Sequence, residues 1–327
     1  MNRLPRIVTV TLHTAIDRVL EVPDFAVGEH VPARQIARQA AGKGINVSVA
    51  LARLGVASIA TGFVGHGEDA FFAQRLRDAI PGRAISQLLT VRGATRENIT
   101  LLDPNRHTDT HLRTQGYTVT DRDVSRLAAK LGLLANPQAV VIFSGSLPEG
   151  MTLDQLRALV SLANGRGARV ALDLAGSALR HIVGTDLGIA RQKVWLIKPN
   201  RQELADAVGQ PTLATPDALE DAGRTLAKGS TWVAVTQGSE GSSLVSEEGG
   251  WHAQTSMPSG AVVNTVGCGD CFLAGLVAAL VQDQPPAEAL GRANAVAAAN
   301  ACTREVCGFE KDQIQNLAQQ THVVAGE

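Results

Sequence analysis

Apolar, β-branched runs alternate along this chain with stretches whose apolar positions recur every three or four residues. The runs at 7–12, 57–64, 139–143, 169–172, 194–197 and 232–236 predict buried strands. The stretches at 45–54, 69–79, 121–134, 153–164, 201–208 and 216–228 predict helices between them. Strands apolar on both faces, each followed by a helix, predict a mainly parallel sheet covered on both sides. Ala-rich segments at 272–281 and 286–302 add two helices to one outer layer. The predicted fold class is therefore α/β, three layers in a single domain over residues 1–327.

Two regions break the rhythm. Residues 15–22 alternate with period two, and 25–37 follow with Gly and Pro interruptions. Runs at 86–91 and 97–102 flank Arg92-Gly93-Ala94-Thr95-Arg96, a hairpin-like spacing. These pieces predict a small separate β-sheet, about residues 14–38 and 86–115, placed as a lid. Its spare face is expected to pair with another subunit as a homodimer.

Composition narrows the classes. At 45% hydrophobic and 19% charged the chain is ordinary for a globular protein, and a net charge of −1 gives no nucleic-acid footprint. No apolar run is long enough to span a bilayer, and residues 1–5 lack the apolar stretch of a signal peptide, so the expected location is cytoplasmic. Cys268, Cys271, Cys302 and Cys307 invite a zinc reading, but C-x4-C is a poor second half of a tetrahedral site, and small buried thiols are favoured. A helix N-terminus lowers a thiol pKa, which makes Cys268 a candidate for oxidation.

The most informative segment is Gly267-Cys268-Gly269-Asp270, running into an apolar helical pattern. A tight glycine turn feeding a helix N-terminus gathers free N–H groups and the positive end of the helix dipole, an anion hole formed by Gly267, Cys268 and Gly269. Asp270 falls in the first turn. A carboxylate beside a bound phosphate is costly unless it serves the chemistry, and the chemistry available to it is taking a proton from an attacking hydroxyl.

Other segments carry two readings each. Gly42-Lys43-Gly44 with Asn46 suits a sugar's hydroxyls or phosphate, or is a plain Gly-rich helix start; it is not a Walker A loop. Arg96 and Asn98 offer a phosphate grip or a solvated turn. Asn200 and Glu203, three apart on one helical turn, can order water around Mg²⁺ or form a capping box. Thr236, Gly238 and Gly241 suit a nucleotide's phosphates or form an ordinary turn. Ser146 follows a strand's carboxyl end, where open α/β sheets bind ligands. Asp17 can accept bonds from sugar hydroxyls or be solvated.

Taken together and in order, Gly42-Lys43-Gly44 with Asn46, Asn200-Arg201-Gln202-Glu203 and Asn264-Thr265-Val266-Gly267-Cys268-Gly269-Asp270 resemble the signatures of the ribokinase-like, PfkB family of carbohydrate kinases. Thr95-Arg96-Glu97-Asn98 and Ser144-Gly145-Ser146-Leu147-Pro148 place the resemblance in its phosphosugar branch, with 1-phosphofructokinase and tagatose-6-phosphate kinase. The resemblance implies a ribokinase-like three-layer α/β/α fold with a β-sheet lid, and ATP- and Mg²⁺-dependent phosphorylation of a ketohexose phosphate. It implies Asp270 as base. It assigns Asp17, Gly42, Lys43, Asn46, Arg96, Asn98 and Ser146 to the sugar phosphate. Lys198, Asn200, Thr236, Gly238, Gly241 and Gly269 fall to the nucleotide, and Asn200 and Glu203 to Mg²⁺ through water. The chain departs from the branch at His13-Thr14 (usually Asn-Pro), Ala41 (usually Gly), and Cys268 and Cys271 (usually Ala and Ser). Arg96 with Lys43 favours a charged substrate over a neutral sugar or nucleoside. A non-catalytic sugar-phosphate sensor is the reading from another class. An NAD oxidoreductase is disfavoured, because Gly267-x-Gly269 does not open a βαβ unit.

Overall fold

The computed structural model describes residues 6–183 and 194–326. Residues 1–5, whose polarity argued against a signal peptide, lie outside the described residues. The first half comprises β1 (Arg6–Thr11), β2 (Ala15–Glu21), β3 (Arg34–Ala41), α1 (Lys43–Arg53), β4 (Ser58–Gly65), α2 (Asp69–Ala79), β5 (Ala84–Ser86), β6 (Leu89–Val91), β7 (Arg96–Asp103), β8 (Thr108–Arg113), α3 (Asp121–Leu134) and β9 (Ala139–Ser144). It continues through α4 (Leu153–Gly165), β10 (Arg169–Asp173), α5 (Gly176–Val183), β11 (Val194–Ile197), α6 (Arg201–Val208), α7 (Pro216–Ala227), β12 (Ser230–Thr236), β13 (Ser242–Val245) and β14 (Gly250–Thr255). The chain closes with α8 (Cys268–Leu280), α9 (Pro286–Ala301), α10 (Lys311–Gln319) and β15 (Thr321–Ala325).

The large sheet runs β15-β14-β13-β12-β11-β10-β9-β1-β4-β5, with β6 also on β4. From β12 to β5 every pairing is parallel; β13, β14 and β15 extend it antiparallel. Alternation along each strand divides the core. Ile7, Val140, Ile142 and Ala171 pack with α1, α2, α8, α9 and α10. Val8, Val10, Val141, Phe143 and Val170 pack with α3 to α7. This is the three-layer arrangement that strands apolar on both faces require. Helix starts are set locally. Thr120 with Asp123, Thr152 with Gln155 and Asn200 with Glu203 form capping boxes, and Thr215 caps a helix that begins with Pro216.

A separate sheet has the order β3-β2-β7-β8. It contains the two expected regions but not the expected pairing. The 86–91 run is not a strand of this sheet. It breaks into β5 and β6, which both pair parallel with β4 at the edge of the large sheet. The hairpin partner of β7 is β8 instead, through a turn at 104–107. The run is short and β-branched, and its pattern does not say which sheet receives it.

Between β1 and its neighbour β9 the chain changes the direction in which it adds strands, because β4 lies on one side of β1 and β9 on the other. The carboxyl ends of β1, β9, β10 and β11 therefore open onto the crevice where α/β sheets take ligands.

Candidate active site

Helix α8 starts at Gly267, whose φ of 79° is left-handed; a Cβ there would lie 2.5 Å from Val306 Cγ1. Glycine is thus required both for the turn and for the close approach. No side chain caps the helix, so its first N–H groups and dipole are left for a ligand. Asp270 stands in that first turn, 6% exposed, with Oδ2 accepting from Asn46 Nδ2 at 2.8 Å. Burial, and then the nearby Asp173 charge, push the Asp270 carboxyl up to about 7, while Asn46, Lys43 and Lys198 pull the other way. Asn46 is itself delivered by α1, whose start packs on the end of β1: a Cβ on Gly44 would sit 2.4 Å from Thr11 Oγ1.

Asp173, absent from the sequence reading, is the second carboxylate. It ends β10, is fully buried, and meets Lys198 Nζ at 3.0 Å and Lys43 Nζ at 3.2 Å. Ser144 Oγ, from the end of β9, donates to its other oxygen at 2.7 Å. Burial works against its charge, but Lys198 and Lys43 outweigh it and hold the carboxyl below the usual range. Lys43 Nζ also lies 3.7 Å from Glu203 Oε1. Burial disfavours the ammonium, yet Asp173, Glu203 and Asp270 raise its pKa overall. The expected Lys43 is therefore placed among carboxylates, paired with Asp173 and 3.7 Å from Glu203. The signal for Asp173 was an acid one step beyond the apolar run 169–172, at a strand's carboxyl end.

On the far side of the turn, a cavity of about 710 Å³ brings together Thr236, Gly238, Gly241, Cys268 and Gly269. Gly241 has φ 93°, and a Cβ would strike the Ala253 carbonyl oxygen at 2.1 Å. Other walls were not foreseen: Gln254 on β14, Met257 after it, and Asn294, Ala297, Ala298 and Ala301 on α9. The Ala-rich run of α9 reads as core in sequence, and only the fold shows that its small side chains leave this space. Asn200 caps α6, with Oδ1 accepting from Glu203 N and Glu203 Oε2 accepting from Asn200 N, both at 2.8 Å. The capping-box reading thus holds, and it leaves Glu203 Oε1 facing Lys43.

The small sheet carries Asp17, Arg96 and Asn98 on one face. Asn98 Nδ2 donates to Asp17 Oδ1 at 2.7 Å, and Arg96 Nη2 donates to the His13 carbonyl at 3.4 Å. The His13-Thr14 departure has a local rationale. Thr14 N–H, which proline lacks, donates to the hydroxyl of Tyr117 at 3.0 Å, and that hydroxyl donates to the Leu12 carbonyl at 3.0 Å. Burial, then Arg96, push the His13 imidazole down to about 4, so it is neutral at ordinary pH. Gly42 takes φ 128° beside Thr11. Ser146 is exposed, in the loop after β9.

The thiols lie behind the turn. Cys271 and Cys307 Sγ are 3.5 Å apart and buried, and Cys268 Sγ is 3.3 Å from Asn300 Nδ2. Burial pushes the Cys268 thiol up, against the lowering by the Asn300 amide, and not down as its helix-terminal position suggested. Among the described residues no three His, Cys, Asp or Glu side chains are grouped to hold a metal, and no helix is long and apolar enough to cross a membrane.

A parallel α/β sheet with an uncapped helix start, a buried carboxylate on it and a cavity beside it defines a phosphotransferase acting on a small alcohol. The model of the pfkB family carbohydrate kinases matches residues 6–312, and the chain belongs to that family. It is 36% identical over 276 residues to the 1-phosphofructokinase of Rhodobacter capsulatus, covering 83% of each chain. It is 30% identical over 321 residues to that of Vibrio cholerae, covering 98% of this chain and 97% of the relative. The phosphofructokinase-2 of Escherichia coli, solved in complex with potassium, shares the fold at a TM-score of 0.86 and 23% identity, over 96% of this chain and 98% of that one.

Proposed function

We propose that this carbohydrate kinase transfers the γ-phosphoryl group of ATP to a hydroxyl of a ketohexose phosphate, with Asp270 as the general base. The observation that carries the reading is the position of Asp270. Its carboxyl is held by Asn46 in the first turn of an uncapped helix whose start, Cys268 and Gly269, lines the 710 Å³ cavity. The nucleotide occupies the cavity and directs its phosphates to Gly267–Asp270, where N–H groups meet the transferring oxygens. Asp17 and Asn98 orient the sugar, and Asp270 takes the proton of the attacking hydroxyl. Lys198 and Lys43, fixed by Asp173, set positive charge next to the phosphates.

Mg²⁺ fits this site only through water. Glu203 offers one carboxylate oxygen outside its capping bond, and Mg²⁺ keeps most of its hydration shell when bound by one or two carboxylates and phosphates. Its chemistry there is to neutralise phosphate charge. The small sheet serves as a lid that excludes water from the transfer. Its edge strands β3 and β8 expose Ile36 and Leu112, which a second copy covers in a homodimer.

ADP release measured with fructose 1-phosphate, fructose 6-phosphate, tagatose 6-phosphate, fructose and ribose tests the reading. One phosphosugar is expected to exceed the neutral sugars in kcat/KM by orders of magnitude. Preference for fructose or ribose would refute it.

A further inference from the structure

Among the described residues the chain crosses between the layered body and the small sheet four times, at 12–14, at 42, at 92–95 and at 114–120. The crossings converge on Thr14 and on Tyr117, the chain's one tyrosine, whose ring is 1% exposed. A Cβ on Gly42 would lie 3.4 Å from Thr14 Cα, and one on Gly93 would lie 3.3 Å from Tyr117 Cα and Cβ. A Cβ on Gly116, the residue before Tyr117, would lie 2.8 Å from Arg96 N and Cβ. The crossings are therefore packed close, backbone near backbone, with the phenol buried at their centre.

The Tyr117 hydroxyl closes this joint. It accepts from Thr14 N–H at 3.0 Å and donates to the Leu12 carbonyl at 3.0 Å. The Phe63 carbonyl of β4 lies 3.1 Å from it and accepts from Thr14 Oγ1 at 2.9 Å. Burial pushes the phenol up to about 12, so it keeps its proton at ordinary pH. The His13 ring meets the Tyr117 ring edge-on at 5.4 Å between centroids, and the His13 carbonyl holds Arg96 Nη2. Strand β2 begins at the next residue after Thr14: Ala15 lies opposite Arg96 of β7, and Asp17 opposite Asn98. The place of Thr14 thus governs where all three polar residues of the small sheet stand relative to the body. Removing the hydroxyl would leave a buried N–H and a buried carbonyl without a partner, a cost the backbone relieves by shifting. The 710 Å³ cavity is lined from residues 236–301, on other elements.

We propose that Tyr117, acting through Thr14, is a positioning residue for the phosphoryl transfer: it fixes the start of β2, and with it Asp17, Asn98 and Arg96, at the distance from Asp270 that the transfer requires. The proposal rests on the sugar-phosphate reading above, and its test separates the two. Tyr117→Phe keeps the ring and its packing and removes only the hydroxyl. ADP release is measured with the five sugars named above, at a temperature where thermal unfolding shows every variant fully folded. A misplacement of about 1 Å costs on the order of 10²-fold in rate, so kcat with the preferred phosphosugar is expected to fall roughly 10- to 100-fold. The three polar residues of the small sheet move together, so the KM for the sugar changes less than kcat does. The KM for ATP stays within about twofold, since the cavity lies on other elements. Thr152→Ala supplies the comparison: it uncaps α4, away from the site, and should lower Tm while leaving kcat in place. An active wild type whose kcat Tyr117→Phe leaves within about twofold overturns the proposal alone. So does an equal loss of kcat in Thr152→Ala, because the loss then reports stability and not position. A rise in the KM for ATP as large as the fall in kcat also overturns it. A wild type that releases no ADP with any of the five sugars overturns the kinase reading and this proposal with it.

Discussion

Asp270→Asn preserves the shape of the side chain and its acceptor for Asn46 while removing the charge and the ability to take a proton. In the folded chain burial and Asp173 push this carboxyl up to about 7, from an ordinary 3.8. A carboxyl raised on folding favours the folded state below about pH 3.8, and that contribution is lost as the pH rises through about 7. Above that, an interval of about three at roughly 1.36 kcal/mol per pKa unit makes the ionised form cost about 4 kcal/mol. Asparagine escapes that cost but buries an amide. The variant is therefore expected to gain on the order of 1–4 kcal/mol at pH 8 and several degrees in Tm, with almost no gain at pH 4. Its kcat should fall on the order of 10²- to 10⁴-fold. The KM for ATP should hold or drop, since a negative charge beside the phosphates is gone. Thermal unfolding from pH 4 to 8 and a coupled ADP assay read both sides. Turnover near wild type removes Asp270 as the base. A variant less stable than wild type at pH 8 refutes the electrostatic reasoning, whatever its activity.

Three further outcomes follow from the same contacts. Asn46→Ala removes the 2.8 Å bond that lowers the Asp270 pKa, so the acid limb of kcat/KM, near pH 7 in wild type, should move to higher pH; a move to lower pH contradicts the assignment. Asp173→Asn leaves Lys198, 3% exposed, without its 3.0 Å counter-ion and should cost about 3–5 kcal/mol in urea unfolding. By removing a repelling charge, it should also draw the acid limb to lower pH; an unchanged midpoint and an unchanged limb together speak against it. Gly267→Ala forces a Cβ to 2.5 Å from Val306 Cγ1 at φ 79°, and should lose about 1–3 kcal/mol together with most of kcat; wild-type stability and kcat would show that the turn tolerates a side chain.

The layered body was legible because its signals are local. Buried parallel strands are apolar on both faces, and each announced itself by composition alone. The turn at Gly267-Cys268-Gly269 was legible for the same reason: glycine, small residue, glycine and acid are contiguous, and the apolar run of α8 follows at once. What failed was partnership. The 86–91 run looks like a hairpin arm, and nothing in it shows that β5 and β6 pair with β4. The antiparallel extension β13 to β15 is short and half polar, so it gave no continuous run. Asp173 and the α9 wall of the cavity are matters of distance between elements far apart in sequence.

The two buried carboxylates show how one crevice separates roles. Asp173 and Asp270 both stand in the crevice and both lose water, yet their environments part them. Asp173 holds two ammonium groups and a serine hydroxyl, so it stays ionised and has no remaining appetite for a proton. Asp270 is tied only to a neutral amide, with the Asp173 charge nearby, and its proton affinity rises. A pair of acids driven apart in this way is what acid–base chemistry at neutral pH requires. Swapping their partners in thought makes the point: with a lysine at 3 Å, Asp270 would be too weak a base to strip a hydroxyl. Without its lysines, buried Asp173 would take up a proton and the charge that raises the Asp270 pKa would be gone. The pairing pattern, more than the presence of either acid, is what favours Asp270 over Asp173 for the proposed role of base.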